Sequence, residues 1–175
     1  SAASDVYKRQ QQVRILKDIC NHIKDETQSS GSNIYWSVEN NTIGESALLV
    51  INDFGEDQIP GMFVSEPIRK GHIRKFRKGF NTTHRTKISA CARLKSMIEK
   101  GKLKINSKPL ITELKAFVAS GSSYKAKTGE NDDLVSAMLL AMRIVTVLKD
   151  WDPKIYTSFS QADEDTADRV YPLPL

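Results

Sequence analysis

Cysteine is scarce in this chain, and its scarcity excludes several kinds of site. The two cysteines, Cys20 and Cys91, lie far apart in the sequence and without the short spacing of a zinc site. We therefore expect both to be reduced, at least partly buried thiols in a reducing compartment. Histidine is also rare, with three residues, and none is evidently paired with a serine or cysteine nucleophile.

Long apolar runs and nucleotide-binding signatures are missing as well. No stretch reaches the roughly 18 apolar residues that cross a bilayer, and no secretory signal is evident. The P-loop signature GxxxxGK[ST] does not occur, which excludes a P-loop ATPase within these residues. The remaining composition is that of an ordinary globular domain, with 39% hydrophobic and 27% charged residues. A net charge of +5 indicates, mildly, a polyanionic partner.

Acidic residues are absent between Glu66 and Glu99, and this interval holds the most basic segment of the chain. Glycines at positions 71 and 79 predict a loop or a bent hairpin here. A basic run is either a solvated surface or a contact for phosphates, and the density of cations without an acid favours phosphates. The predicted DNA-binding residues are Arg69, Lys70, Arg74, Lys75, Arg77, Lys78, Arg85 and Lys87, together with Lys127.

The two ends of the chain differ in pattern from its middle. Residues 1–10 (SAASDVYKRQ) show no clear periodicity, and we interpret them as a non-native leader of the adapter or vector type. On that interpretation the natural protein has been cut upstream of Gln11. Residues 151–175 are acidic and contain proline, which predicts a loosely ordered C-terminal extension. The predicted domain is therefore 11–150.

Helices and strands alternate through the domain, which predicts a parallel α/β layer. The predicted helices are 11–27, 42–52, 86–100, 109–118 and 132–150, and the predicted strands are 33–38, 61–65, 102–105 and 124–127. The predicted buried face of the first helix consists of Val13, Leu16, Ile19, Cys20 and Ile23. The predicted buried face of the last helix consists of Leu134, Val135, Met138, Leu139, Met142, Val145 and Leu148.

Two adjacent acids, Asp132 and Asp133, open the last helix. One interpretation is helix capping, because an aspartate there accepts backbone N–H bonds and suits the helix dipole. Capping needs one aspartate, and its neighbour points about 100° further round the helix. Either Asn41 or Thr42 is expected to cap the second helix in the same way.

A third acid, Glu39, directly follows the predicted strand 33–38, and ligand sites of α/β layers form beyond the carboxyl ends of strands. Glu39 is either an ordinary exposed acid or a partner of Asp132 and Asp133. If these carboxylates meet, they need a cation, because like charges raise one another's pKa. Oxygen ligands alone select Mg²⁺ or Mn²⁺, and a pair of such ions hydrolyses phosphodiesters.

Several segments resemble, in order and spacing, the nuclease domain of the tailed-bacteriophage terminase large subunit. The strand-end motif of that family resembles residues 38–44 (VENNTIG), and its middle resembles 79–83 (GFNTT), 85–87 and 94–95. Its end resembles 113–115 (ELK), Phe117 and 129–135 (GENDDLV). The resemblance runs from about Gln11 to Asp150.

This resemblance implies a ribonuclease H-like mixed sheet flanked by helices, in an endonuclease that cuts concatemeric viral DNA. Three acidic positions hold two Mg²⁺ or Mn²⁺ ions in that family; Glu39 matches the second, and Asp132 and Asp133 match the third. No residue matches the first, since Asp5 lies in the suspected leader and Asp18 in a helix. We therefore expect a fragment that lacks its first strands and cleaves DNA poorly by itself.

The resemblance also implies partners and a location. These are double-stranded viral DNA, the portal, the small terminase subunit and an N-terminal ATPase domain, in the host cell cytoplasm and without a membrane. Two alternatives stay open on the residues alone. One is another ribonuclease H-like nuclease of the resolvase or transposase type, and the other is a non-catalytic nucleic-acid-binding module with structural acids.

Overall fold

The computed structural model describes residues 2–28, 31, 33–70 and 73–151, which fall into two compact units divided between Thr86 and Lys87. The mixed α/β class expected from the sequence is confirmed. The described strands form three two-stranded sheets. No helix among the described residues has the length and apolar character needed to cross a membrane.

In its described residues, the first unit contains a short 3-10 helix (Glu56–Gln58), and also two α-helices and four strands. These are α1 (Ala2–Glu26), β1 (Tyr35–Trp36), α2 (Thr42–Phe54), β2 (Met62–Phe63), β3 (Glu66–Lys70) and β4 (Ile73–Arg77). Strands β1 and β2 pair in parallel, as the sequence predicted, and both are shorter than expected. Strands β3 and β4 form an antiparallel hairpin, so the hairpin alternative for the basic segment is confirmed.

Helix α1 differs from its prediction at its start and in its buried face. It begins at Ala2 rather than Gln11, because residues such as alanine, lysine, arginine and glutamine favour a helix without an apolar pattern. The assignment of residues 1–10 as a leader stays a prediction. Val13 and Cys20 are buried as expected, but Ile19 and Ile23 are 51% and 41% exposed, so their predicted burial is wrong. Successive residues of a helix lie about 100° apart around its axis, and the sequence pattern did not resolve which stripe of side chains faces the core.

The core of the first unit joins both helices to the parallel strands. Its buried members are Val13, Cys20, Ile34, Trp36, Ile51 and Ile59. The Trp36 ring meets Phe63 edge-on, with 4.8 Å between centroids. This packing holds β1, and therefore the residues that follow it, against α1 and α2.

Up to residue 151, where the described part ends, the second unit contains three helices and one hairpin. The elements are α3 (His84–Glu99), α4 (Lys108–Ala116), β5 (Phe117–Ser120), β6 (Ser123–Ala126) and α5 (Asp133–Trp151). The boundary between the two units falls within the first turn of α3. The predicted edge strand at 124–127 is confirmed one residue earlier, as β6. The buried core of the second unit consists of Ala90, Leu94, Leu110, Val135, Leu139 and Met142.

Two expectations for the second unit are wrong. Residues 102–105 form no strand, because Leu103 and Ile105 pack against the helical core and no neighbouring strand in the described residues pairs with them. Helix α4 ends at Ala116, so Phe117 and Val118 belong to β5 instead. Phe117 stacks on Tyr124 of β6, with 6.1 Å between ring centroids, and this cross-strand contact favours the hairpin over another helical turn.

Helix α5 follows the predicted periodicity closely. Val135, Leu139, Met142 and Leu148 are buried, whereas Leu134 is 41% exposed and was wrongly placed on the buried face. The predicted C-terminal extension lies outside the described residues from 152 onward.

Candidate functional site

Glu39 lies where the segment of β1 ends, in a position fixed by backbone contacts. It forms an isolated parallel bridge with Phe80, in which Phe80 N donates to the Val38 carbonyl at 3.0 Å and Asn40 N donates to the Phe80 carbonyl at 2.7 Å. Gly79 makes this approach feasible, since its φ is +72° and a Cβ there would lie 2.7 Å from the Val38 carbonyl oxygen. The strand predicted at 33–38 ends earlier, at Trp36, and Glu39 follows it in the chain as an isolated bridge rather than directly at the strand end.

Asn41 organises the turn after Glu39. Its side-chain oxygen accepts a hydrogen bond from Gly44 N at 2.8 Å and so caps α2, which confirms the Asn41 alternative for the cap. Its amide nitrogen donates to Glu39 Oε2 at 3.0 Å. One asparagine therefore satisfies the helix end and orients the carboxylate, and Glu39 itself is not needed as a cap.

Gly44 allows the start of α2 to pack directly on this turn. A Cβ at Gly44 would overlap the backbone carbonyl of Glu39. The residue is buried, and the contact partner is backbone, which cannot rotate away. The motif 38–44 is thus a rigid turn that presents one carboxylate.

The strand that carries Glu39 is paired along one edge. Ile34, Trp36 and Val38 direct their carbonyls to Met62, Val64 and Phe80. The backbone groups of Tyr35, Ser37 and Glu39 alternate to the opposite edge. In the described part of the chain, no strand pairs with that edge.

Helix α5 is capped by a residue that the sequence did not indicate. Glu113 of α4 accepts hydrogen bonds from Leu134 N at 2.8 Å and Val135 N at 3.1 Å through one carboxylate oxygen. These are N–H groups of the first turn, which an N-cap side chain would otherwise satisfy. The side chains of Asp132 and Asp133 accept neither bond, so the prediction that one of them caps α5 through a hydrogen bond is wrong. Asp133 does lie in the first turn, where an acid suits the helix dipole. A glutamate so far upstream leaves no local signature, since capping patterns are read over about four residues.

Asp132 and Asp133 have different surroundings. The half-buried Asp132 carboxylate accepts a hydrogen bond from Ala126 N at 3.4 Å, and its Oδ2 lies 4.0 Å from Lys87 Nζ. The Lys87 ammonium also lies 5.4 Å from the centroid of the Phe117 ring. Asp133 is exposed, and its carboxylate contacts no partner among the described residues.

The side chains of Glu39, Asp132 and Asp133 offer only carboxylate oxygens as metal ligands. Such ligands suit a hard divalent cation. Glu39 belongs to the first unit, and Asp132 and Asp133 belong to the second. Within the ranges that the structure describes, no group of three or more histidine, cysteine, aspartate or glutamate side chains is arranged to hold a metal ion.

The predicted DNA-binding residues fall into three groups. Those at positions 69, 70, 74, 75 and 77 lie in the β3–β4 hairpin, where the register pairs Arg69 with Arg74, and their side chains lie outside the described part. Lys78 and Lys87 are engaged: Lys78 Nζ lies 3.0 Å from Glu56, and Lys87 faces Asp132. Arg85 and Lys127 are exposed.

Both cysteines are free thiols, as expected. Burial raises the pKa of Cys20. Burial also raises the pKa of Cys91, and the positive charge of Lys87 partly opposes that change. Neither thiol is therefore activated as a nucleophile.

Comparison with known protein families gives one match. A family model described as the terminase RNaseH-like domain matches residues 6–143, more than three quarters of the chain. The matched range includes Glu39, the basic hairpin and the acidic pair. It also includes Asn41, an expected cap, and Glu113, whose capping role appears only in the structure.

Replacement of Gly44 by alanine is expected to destabilise the protein by about 1–3 kcal/mol, the usual cost of overpacking. Alanine gains at most about 1 kcal/mol in helix propensity, and the overlap with the Glu39 backbone outweighs that gain. Urea denaturation measures the difference. The matched control is Leu49→Ala in the same helix, where the side chain is 67% exposed. Equal urea midpoints for the two variants would contradict the close packing at Gly44.

Replacement of Glu113 by alanine is expected to cost about 1–2 kcal/mol, as for loss of a helix N-cap. The loss should be local, because the N–H groups of Leu134 and Val135 lose their acceptor. Hydrogen exchange measured at these two amides should accelerate. Glu130→Ala serves as the control, since Glu130 is exposed and its carboxylate contacts no described residue. Unchanged protection at both amides in Glu113→Ala would refute the capping role.

Proposed function

This chain belongs to the family of terminase RNaseH-like domains, and from that membership we propose that it is the metal-dependent endonuclease domain of a phage packaging terminase. Its substrate would be concatemeric double-stranded viral DNA. The observation that most supports this proposal is the cap on α5. Because Glu113 accepts the hydrogen bonds of the first-turn N–H groups of α5, the two adjacent acids are not needed to accept them.

We propose that Glu39 and the Asp132/Asp133 pair hold Mg²⁺ or Mn²⁺. Such ions activate water and stabilise the leaving oxygen in phosphodiester hydrolysis. The chain's own contribution is orientation. Asn41 fixes the Glu39 carboxylate, and Glu113 fixes the helix start from which the aspartates project. Neither supporting residue touches the substrate in this proposal, so both are positioning residues.

The edge at Tyr35 and Ser37, with which no strand of the described residues pairs, supports a further part of the proposal. A strand that pairs with Tyr35 and Ser37 would bring its own side chains near the Glu39 carboxylate. We propose that the remaining acidic ligand of the family comes from such a strand. By itself, this chain would then bind metal weakly and cleave slowly.

The basic hairpin and its flanking residues would bind the DNA backbone. Phosphate contacts of this kind position the duplex and carry no sequence information. The portal, the small terminase subunit and an ATPase domain are the proposed protein partners, in the host cell cytoplasm. A DNA-binding module without catalysis is the competing function, and metal binding separates the two.

Metal binding tests the acidic residues. The chain is expected to bind Mn²⁺, detected by electron paramagnetic resonance. Glu39→Gln should weaken binding by about ten-fold or more, and so should at least one of Asp132→Asn and Asp133→Asn, since loss even of a supporting group costs about that much. The controls are Glu45→Gln and Glu130→Gln, which remove exposed acids near each position.

Two outcomes would count against this assignment. Equal Mn²⁺ affinity in all variants would leave the acids without a metal-binding role. Robust Mg²⁺-dependent nicking of plasmid DNA by the chain would instead refute the need for a further acidic ligand.

DNA binding tests the hairpin separately. The double variant Arg69→Ala/Arg74→Ala is expected to bind duplex DNA more weakly. The slope of log affinity against log salt should fall by about 0.9 for each phosphate that the variant no longer neutralises. Lys100→Ala/Lys104→Ala removes the same charge from exposed positions outside the hairpin. Equal salt slopes for the two double variants would argue against the hairpin as the DNA contact.

A further inference from the structure

The Lys87 side chain lies beside Asp132 and Phe117 and is only partly exposed to solvent. Its side chain is 23% exposed, its ammonium lies 4.0 Å from Asp132 Oδ2, and the Phe117 ring supports it at 5.4 Å. Of the lysines on α3, Lys95 is 75% exposed and pairs with Glu99 of its own helix. Lys87 therefore holds a defined place beside one particular acid.

This contact distinguishes the two aspartates. Asp132 has a resident counter-cation and a backbone donor, whereas Asp133 has no partner among the described residues. An ammonium and a divalent ion compete for the same carboxylate oxygens, because both are cations. A divalent ion at Asp132 would also repel an ammonium about 4 Å away.

We propose that Lys87 is a positioning residue that exchanges partners: it neutralises Asp132 until a metal ion binds, and then transfers its contact to a DNA phosphate. The inference rests on the proposed metal-binding function of Asp132. It reconciles the sequence-based assignment of Lys87 to DNA with its observed contact to an acid. The ammonium stays protonated throughout, and only its anionic partner changes.

Partner exchange couples metal binding to DNA binding. A phosphate that receives Lys87 lowers the cost of releasing Asp132, so DNA should tighten metal binding. Reciprocity requires the metal to tighten DNA binding by the same factor. A lysine with a purely structural role would leave this coupling unchanged when its charge is removed.

The decisive variant is Lys87→Met, which removes the charge and keeps an unbranched side chain against the Phe117 ring. Metal affinity is measured by calorimetric titration with Ca²⁺, a hard cation for oxygen ligands, with and without a short DNA duplex. Without DNA, the variant should bind Ca²⁺ about five-fold more tightly, the factor expected for loss of a competing ion pair. The tightening caused by DNA should shrink by a similar factor.

The matched control is Lys95→Met, which removes a paired lysine from the same helix and should change neither quantity. Lys87→Arg retains the charge and should retain the coupling. If Lys87→Met does not fold, as judged by circular dichroism, Lys87→Gln tests the same charge loss.

The outcomes separate this inference from the function on which it rests. Unchanged or weaker Ca²⁺ binding in Lys87→Met, or equal tightening in Lys95→Met, would overturn the role of Lys87 alone. Absence of Ca²⁺ and Mn²⁺ binding by the unaltered chain would overturn the metal site and the exchange together.

Discussion

The carboxylate of Glu113 is the interaction on which the second unit depends. It accepts hydrogen bonds from two N–H groups of the first turn of α5, which would otherwise be satisfied by a side chain at the helix's own start or by water. The bond links α4 to α5 at the point where both contribute to one apolar core. It also leaves Asp132 and Asp133 outside the capping scheme. Helix stability and the availability of the acids are therefore set by the same contact.

The first unit uses the same principle with a different residue. Asn41 caps α2 through its side-chain oxygen and orients Glu39 through its amide nitrogen. Glycines at 44 and 79 let backbone segments approach where a Cβ would collide. In both units a side chain other than the acid of interest accepts the hydrogen bonds of the helix start. This shared arrangement supports the proposed metal-binding role more directly than the presence of acids does.

Local sequence patterns predicted the helices and strands well where the buried residues recur at a regular spacing. Helix α5 and the parallel pairing of β1 with β2 follow from apolar spacing and from the order of elements. The errors occur where tertiary contacts compete with local preference. Leu103 and Ile105 alternate like a strand because they face a helical core, and Phe117 leaves α4 because Tyr124 offers a stacking partner. Ile19 and Ile23 show that an apolar stripe need not be the buried one.

The sequence by itself determined the α/β class, the cap of α2 at Asn41 or Thr42 and the family resemblance, because these depend on residues close together in the chain. Only the tertiary structure decided which residue caps α5 and which aspartate has a counter-cation. Glu113 and Lys87 lie far from Asp132 in sequence, and no local pattern encodes a contact made by folding distant segments together. The physical reason is that hydrogen bonds and ion pairs depend on distance in space, whereas periodicity records only distance along the chain.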